Sequence, residues 1–402
     1  MIEKELTAIK FTDVQALVTN QTQEDRRLDY KEQLSVQTDD EKREFLADVS
    51  AFANTSGGHL VFGIREQRDS LGKPTGVPSD APGLANFTNP DGEILRLEQL
   101  IRDGLAPRLS GVRMRAIPGL QQGPTLIIQV PQSWTAPHMV TLKNWSRFFG
   151  RGNAGKFQFD VSQIRAGFLF SDSLVEKIRN FRADRTIQIL AKETPIPVKN
   201  GRTLIFHIIP LSAFHQEMAL HVTQIREHLN QLQPLSSHGY SERVNLEGVV
   251  TFWKPAEELQ SISYAQFYRN GIIELVDSSM ILGDDDPSDP LRAAIFEDIL
   301  IQGTARYLKF LRNVGVQGPT VVSVALDGMA NVCLGVRARQ DYRKMNDRRF
   351  DRNLLIFPEI VVEDLAGEPD VILRPLFDAL YNAAGWDKCA HYDAQGHWQR
   401  PQ

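Results

Sequence analysis

"AFANTSGGHLVFGI", residues 51–64, is the stretch whose reading decides the fold. Upstream of it, "TDDE" at 38–41 has the spacing of a capping box, and Phe45, Val49 and Phe52 recur at helical intervals. Together they predict a helix over roughly 40–54. Gly57 and Gly58 permit a left-handed helix exit and a tight turn, after which "HLVFGI" is a short apolar strand. Two readings of this corner stand side by side. Asn54 and Thr55 can close the helix end by bonding its last carbonyls or an adjacent loop. Alternatively, the backbone amides around Gly57 approach a phosphate.

Working outward, "RRLDYKEQL" at 26–34 reads as a strand preceding the helix. Residues two apart on a strand share a face, so Asp29 and Lys31 project together. Phosphodiester hydrolysis can use such a pair: the carboxylate holds a divalent metal and the lysine offsets charge on the phosphate. Glu24 lies just upstream, and Glu66 lies just past the "HLVFGI" strand, where it can reach the same rim. The plain reading of these residues is a surface ion pair on the strand and, for "REQRD" at 65–69, a solvated turn.

The ordered set of these pieces resembles the Schlafen-type AlbA-like domain, also known as AlbA_2 or divergent ATP-binding. That family carries an E-x4-[ED]-[FY]-K element, then an "AFANT-x-GG" helix end, then an apolar strand ending in Gly-Val or Gly-Ile. Here these are Glu24 to Lys31, residues 51–58 and the strand through Gly63 and Ile64. "PHMV", "RFFGRGNAGKF" and "VSQIR" resemble its later segment, so the likeness covers roughly residues 14–170. In Schlafen nucleases the corresponding acids form a metal-dependent ribonuclease centre. The resemblance therefore implies Glu24, Asp29 and Glu66 as ligands for Mg²⁺ or Mn²⁺, with Lys31 as the basic neighbour. Asp29 is shorter than the more common Glu. Arg65 stands where an acid often precedes Glu66, and it could pair with Glu66. Other members of the family are described as transcriptional regulators or ATP-binding proteins.

"GRGNAGKF" at 150–157 has the letters of a phosphate-binding loop, but Phe157 stands where the magnesium-binding hydroxyl belongs. "KFQFDV" follows with strand-like alternation, so the spacing predicts a hairpin and not an ATP site. Lys143, Arg147, Arg151, Lys156 and Arg165 cluster there against a single acid, Asp160, interleaved with Trp145, Phe148, Phe149, Phe157 and Phe159. Basic residues with stacking aromatics form a single-strand or loop-RNA grip. The other reading makes the aromatics the inner face of the hairpin.

The chain has 402 residues, 42% hydrophobic and 24% charged, with a net charge of -5, so any polyanion site is a local patch. The distant pair Cys333 and Cys389 predicts neither a disulfide framework nor a zinc site, and the nine histidines show no metal spacing. The charged start and the absence of a long apolar run lead to the expectation of a cytoplasmic chain without membrane contact. We expect an α+β (mixed α/β) organisation: 1–170 the AlbA-like domain, 171–200 a helical connector, and 201–402 a second α/β domain of unrecognised fold. The second domain is assigned sensing, partner binding or homo-oligomerisation. It includes an acidic loop at 283–290, a helix over about 291–312, a basic run at 337–352 and a late helix near 376–385. The expected function is an endoribonuclease on structured RNA, with tRNA implied by the resemblance, of a kind that suits antiphage defence. The alternatives are a non-catalytic DNA- or RNA-binding transcriptional regulator and an ATP-binding switch.

Overall fold

Leu6, Ile9, Val14 and Leu17 are all buried, on a 3-10 turn at Leu6–Ala8, the linking residue and helix α1, Phe11–Thr19. Strand β1, Leu28–Lys31, and helix α2, Asp39–Ala53, follow. The α2 capping box forms as its spacing predicts. Thr38 Oγ1 accepts from the Glu41 amide at 3.3 Å, and the Glu41 carboxylate accepts from the Thr38 amide at 2.8 Å. Beyond α2, Gly57 has φ +62° and its amide donates to the Phe52 carbonyl at 2.9 Å. A Cβ on Gly57 would lie 2.6 Å from the Gln132 nitrogen, so conformation and packing both require glycine. The chain then enters β2, Gly58–Phe62.

A two-stranded ribbon, β3 (Arg65–Arg68) and β4 (Pro74–Asp80), comes next, followed by helix α3, Pro90–Gly104, capped by Asn89. Strands β5 (Leu105–Ala106), β6 (Arg113–Ile117), β7 (Thr125–Val130), β8 (Met139–Val140), β9 (Arg147–Gly152) and β10 (Gly155–Gln158) complete the first unit's strands. One sheet has the order β1-β2-β7-β6, with β1 parallel to β2, and a second has the order β10-β9-β8-β5. Side-chain alternation sorts the core. Leu60, Phe62, Leu126 and Ile128 pack with Phe45, Val49 and Phe52 of α2, while Val61 and Ile127 join Val14 and Leu17 of α1 on the other face.

The structure describes residue 4 and residues 6–85, 87–153, 155–214, 220–279, 289–316, 318–336 and 348–400. They fall into two units, Met1–Ser173 and Leu174–Gln402, and helix α4, Val161–Leu190, lies across that division. In the second unit β11 (Thr203–Pro210), helix α5 (Val222–Arg226), β12 (Ser241–Val244), β13 (Gly248–Trp253), β14 (Ser263–Tyr268) and β15 (Ile273–Asp277) precede a short β16 (Leu291–Arg292). Helix α6 (Ala293–Asn313), β17 (Thr320–Asp327), β18 (Leu334–Gly335), β19 (Leu355–Ile356), β20 (Ile360–Val362) and helix α7 (Pro369–Ala383) follow. The main sheet runs β12-β13-β14-β15-β11-β17-β19, with β20 on β17, and its pairings are antiparallel. Its core takes in Phe296, Leu300 and Tyr307 of α6 and Leu373, Phe377 and Leu380 of α7. The fold is mixed α+β. Most of the acidic stretch at 283–290 and most of the basic run at 337–352 lie outside the described residues. Among the described residues no helix is long and apolar enough to cross a membrane.

Candidate metal centre and its basic neighbours

β1 is an edge strand, and Asp29 and Lys31 project from it toward α2. Lys31 Nζ lies 2.9 Å from Asp29 Oδ2 and 3.7 Å from Asp48 Oδ2, an acid of α2. Burial acts to lower the Lys31 pKa, but Asp48 and Asp29 override it and raise it above the ordinary lysine value. Burial also pushes the Asp48 carboxyl up, against the pull of Lys31 and Lys156. Asp48 was not among the residues expected from the sequence. A charge three residues after Phe45 and four before Phe52 stands on the apolar side of α2, and that position was the available signal.

The hairpin reaches into the same network. Arg151 donates through Nη2 to Asp29 Oδ1 at 2.7 Å and to the Leu28 carbonyl at 3.2 Å, and through Nε to the Asp25 carbonyl at 3.3 Å. Its guanidinium lies over the Phe52 ring and its side chain is only 3% exposed. Lys156 Nζ pairs with Asp48 at 2.8 Å and Glu44 at 2.6 Å. These two residues therefore correct the expectation of a five-residue phosphate grip. Arg151 is a buried brace for Asp29, and Lys156 is a largely covered brace for Asp48. Lys143, Arg147 and Arg165 are exposed, although Lys143 also pairs with Asp39. "GRGNAGKF" is a hairpin, with Lys156 opposite Arg151 and Phe157 opposite Gly150. Phe149 is buried and Trp145 packs on it at 5.5 Å, whereas Phe157 is exposed.

The "REQRD" stretch is not a solvated turn. Its first four residues are strand β3, paired with β4. Neighbours on a strand face opposite ways, so Arg65 turns to Glu32 at 2.9 Å instead of Glu66. Glu66 Oε2 accepts from the Gly76 amide at 2.9 Å, and the Gly76 carbonyl accepts from the Glu24 amide at 2.7 Å. Glu24 Oε1 in turn accepts from the Tyr30 amide of β1 at 2.6 Å. The ribbon thus brings Glu66 and Glu24 to the edge that carries Asp29. Burial, then Asp29 and Glu66, hold the Glu24 carboxyl up at about 7 against the Tyr30 amide and Arg151. The three carboxylates carry hard oxygen donors of the kind Mg²⁺ and Mn²⁺ take, and burial first, then Asp29 and Glu66, favours the protonated form of Glu24. Among the described residues, the His/Cys/Asp/Glu groups with all ligand atoms within 4.8 Å are Glu297–Cys389–His391 and Glu368–Asp370–His397 of the second unit. Glu24, Asp29 and Glu66 do not form such a group.

The corner after α2 anchors this arrangement. Asn54 Nδ2 donates to the carbonyls of His138 and Phe149 at 3.0 and 2.9 Å, and its Oδ1 accepts from the His138 amide at 2.6 Å. Thr55 Oγ1 donates to the Ala51 carbonyl at 2.6 Å. The Gly57 amide is spent on the helix end, and a Cβ on Gly58 would meet the Arg27 carbonyl at 2.4 Å. The corner therefore locks α2 to β9 and to the 138 loop.

Residues 24–160 match the family model described as Schlafen, AlbA_2. No curated protein matches the chain. Among solved structures, it is similar to the N-terminal domain of an ATP-dependent DNA helicase RecG-related protein from Nitrosomonas europaea, determined by solution NMR. The identity is 22%, with 31% of this chain and 74% of that chain covered, at a TM-score of 0.24. The family match spans the acidic edge of β1, the α2 corner, the β3–β4 ribbon and the basic hairpin. The first unit therefore carries a Schlafen, AlbA_2 domain match over residues 24–160.

Proposed function

We propose that the first unit is a metal-dependent endoribonuclease acting on structured RNA, with tRNA as its first substrate class. The observation that supports it most is the Glu24 carboxyl, held at about 7 by burial and by Asp29 and Glu66, beside a lysine whose charge is secured. Glu24, Asp29 and Glu66 would hold Mg²⁺ or Mn²⁺, which supplies Lewis-acid stabilisation of the scissile phosphate and a more acidic water. Lys31 stays cationic and offsets charge building on the phosphate. Arg151 fixes the Asp29 carboxylate, and Lys156 fixes Asp48 so that Lys31 keeps its position. The exposed Arg147 and Arg165, with Phe157 as a stacking face, would meet the RNA backbone and a base.

The test is incubation of the protein with total tRNA, with Mg²⁺ or Mn²⁺ and then with chelator. We expect cleavage that requires the cation and falls by at least ~100-fold in Glu66→Ala, a side chain whose removal strands no buried cation. Arg151 favours a second reading, a nucleic-acid-binding regulator without catalysis, because it already gives Asp29 a positive partner. RNA binding with no cation-dependent cleavage would select that reading.

A further inference from the structure

Helix α6 carries Glu297 on its buried face, where a carboxylate needs partners. The C-terminal segment provides them by folding back on itself. Tyr392 bridges Trp398, and the His391 carbonyl accepts from the Gln399 amide at 2.7 Å. This small hairpin sets Cys389, His391 and Trp398 around one carboxylate. His391 Nδ1 lies 2.7 Å from Glu297 Oε2, and Cys389 Sγ lies 3.6 Å from Oε1. The Tyr381 hydroxyl of α7 reaches His391 Nδ1 at 3.2 Å. Trp398 Nε1 donates to Oε2 at 2.6 Å.

We propose that Glu297, Cys389 and His391 form a closed metal site for a zinc-class cation, with the Tyr381 hydroxyl as the fourth donor. Sulfur, imidazole nitrogen and carboxylate oxygen together are the borderline-soft mixture that Zn²⁺ takes and Mg²⁺ or Ca²⁺ does not. Tetrahedral coordination with Zn–S of about 2.3 Å and Zn–N or Zn–O of about 2.0–2.2 Å separates ligand atoms by roughly 3.3–3.7 Å. The Sγ–Oε1 and hydroxyl–Nδ1 separations, 3.6 and 3.2 Å, lie in or beside that range. The shorter His391–Glu297 contact is a hydrogen bond that the cation replaces. Glu297, Cys389 and His391 are all buried, as structural zinc ligands are. Trp398 holds Oε2 from outside and leaves Oε1, whose facing donor is the weak Cys389 thiol, toward the metal. The cysteine count predicted no zinc because it looked for paired thiols. Here one thiol in a loop joins a carboxylate from helix α6, so no sequence spacing announces the site.

The test uses the full chain: metal content of the protein loaded with zinc and then dialysed, and the absorption spectrum after Co²⁺ loading. We expect stoichiometric zinc and a thiolate-to-cobalt charge-transfer band. Cys389→Ser should lose the band and most of the zinc, and Glu66→Ala should keep both, which separates this site from the proposed ribonuclease centre. The neighbouring Glu368–Asp370–His397 group contains no sulfur and cannot produce that band. No stoichiometric zinc together with no charge-transfer band in the unmutated protein would overturn the proposal, whatever the variants do. So would a Cys389→Ser variant that retains its full zinc content.

Discussion

Glu24 in the first unit and Glu274 in the second are both glutamates at a strand, and they end at opposite extremes. Glu274 on β15 is completely buried, which by itself would raise its pKa. Arg185 of α4 grips both its oxygens at 2.7 and 2.8 Å, His207 stands at 3.2 Å, and the Tyr264 hydroxyl donates at 2.8 Å. Those partners, Arg185 and His207 foremost, pull the carboxyl down to about 2. Glu24 is less buried, yet its carboxyl is held up at about 7, because Asp29 and Glu66 add to the effect of burial. Burial does not fix the charge of a carboxylate; its neighbours do. Glu274 has its countercharge built in and ties α4 to the sheet. Among the described residues Glu24 has no ion-pair partner, and a protonatable carboxyl at a sheet edge beside other acids is what a cation site presents.

The largest effect that would sharpen this contrast comes from Glu274→Ala. It leaves the Arg185 guanidinium, 17% exposed, without its carboxylate, and should destabilise the second unit by about 3–5 kcal/mol in denaturant unfolding. A loss below about 1 kcal/mol would show that the Arg185 pair is not what holds α4 there. Asp29→Ala should cost less, about 1–3 kcal/mol, because the stranded Arg151 keeps its bonds to the Asp25 and Leu28 carbonyls. Asp29 thus supports the fold as well as the proposed chemistry, so lost cleavage in this variant alone does not identify a ligand.

The smallest effect is also the most specific. Unfolded, Glu24 ionises near 4.5; folded, it keeps its proton to about 7. Between those values the folded chain binds more protons, so this group's contribution to stability is complete below 4.5 and is lost as pH rises through about 7. Glu24→Gln should therefore stabilise the protein by about 1–2 kcal/mol at roughly pH 8 and change little near pH 4. A variant equally stabilised at both pH values would break the comparison.

Local signals were legible in the sequence because each needs only a few neighbouring residues. The Thr38–Glu41 capping box, the Gly57–Gly58 corner, the short apolar run of β2 and the β9–β10 hairpin were all readable in this way. The basic hairpin was legible as an element but not in its role. Charged residues are usually solvated, and only the packing over Phe52 shows that Arg151 turns inward to Asp29. The β3–β4 ribbon was hidden by its polar composition, since "REQRD" has no buried face to give a period. Asp48 was readable from its place among Phe45, Val49 and Phe52. The Glu297 cluster was not, because two of its members lie on a turn far along the chain from α6.

Calorimetric titration of Mn²⁺ into the unmutated protein near pH 6.5, in buffers of different ionisation enthalpy, tests the central claim most directly. If Glu24 holds its proton because it is buried beside Asp29 and Glu66 with no ion-pair partner of its own among the described residues, the cation must displace that proton. The account predicts Mn²⁺ binding with release of roughly one proton per ion, and no such release from Glu24→Gln. Absence of binding, or binding whose proton release is the same in Glu24→Gln, would contradict it.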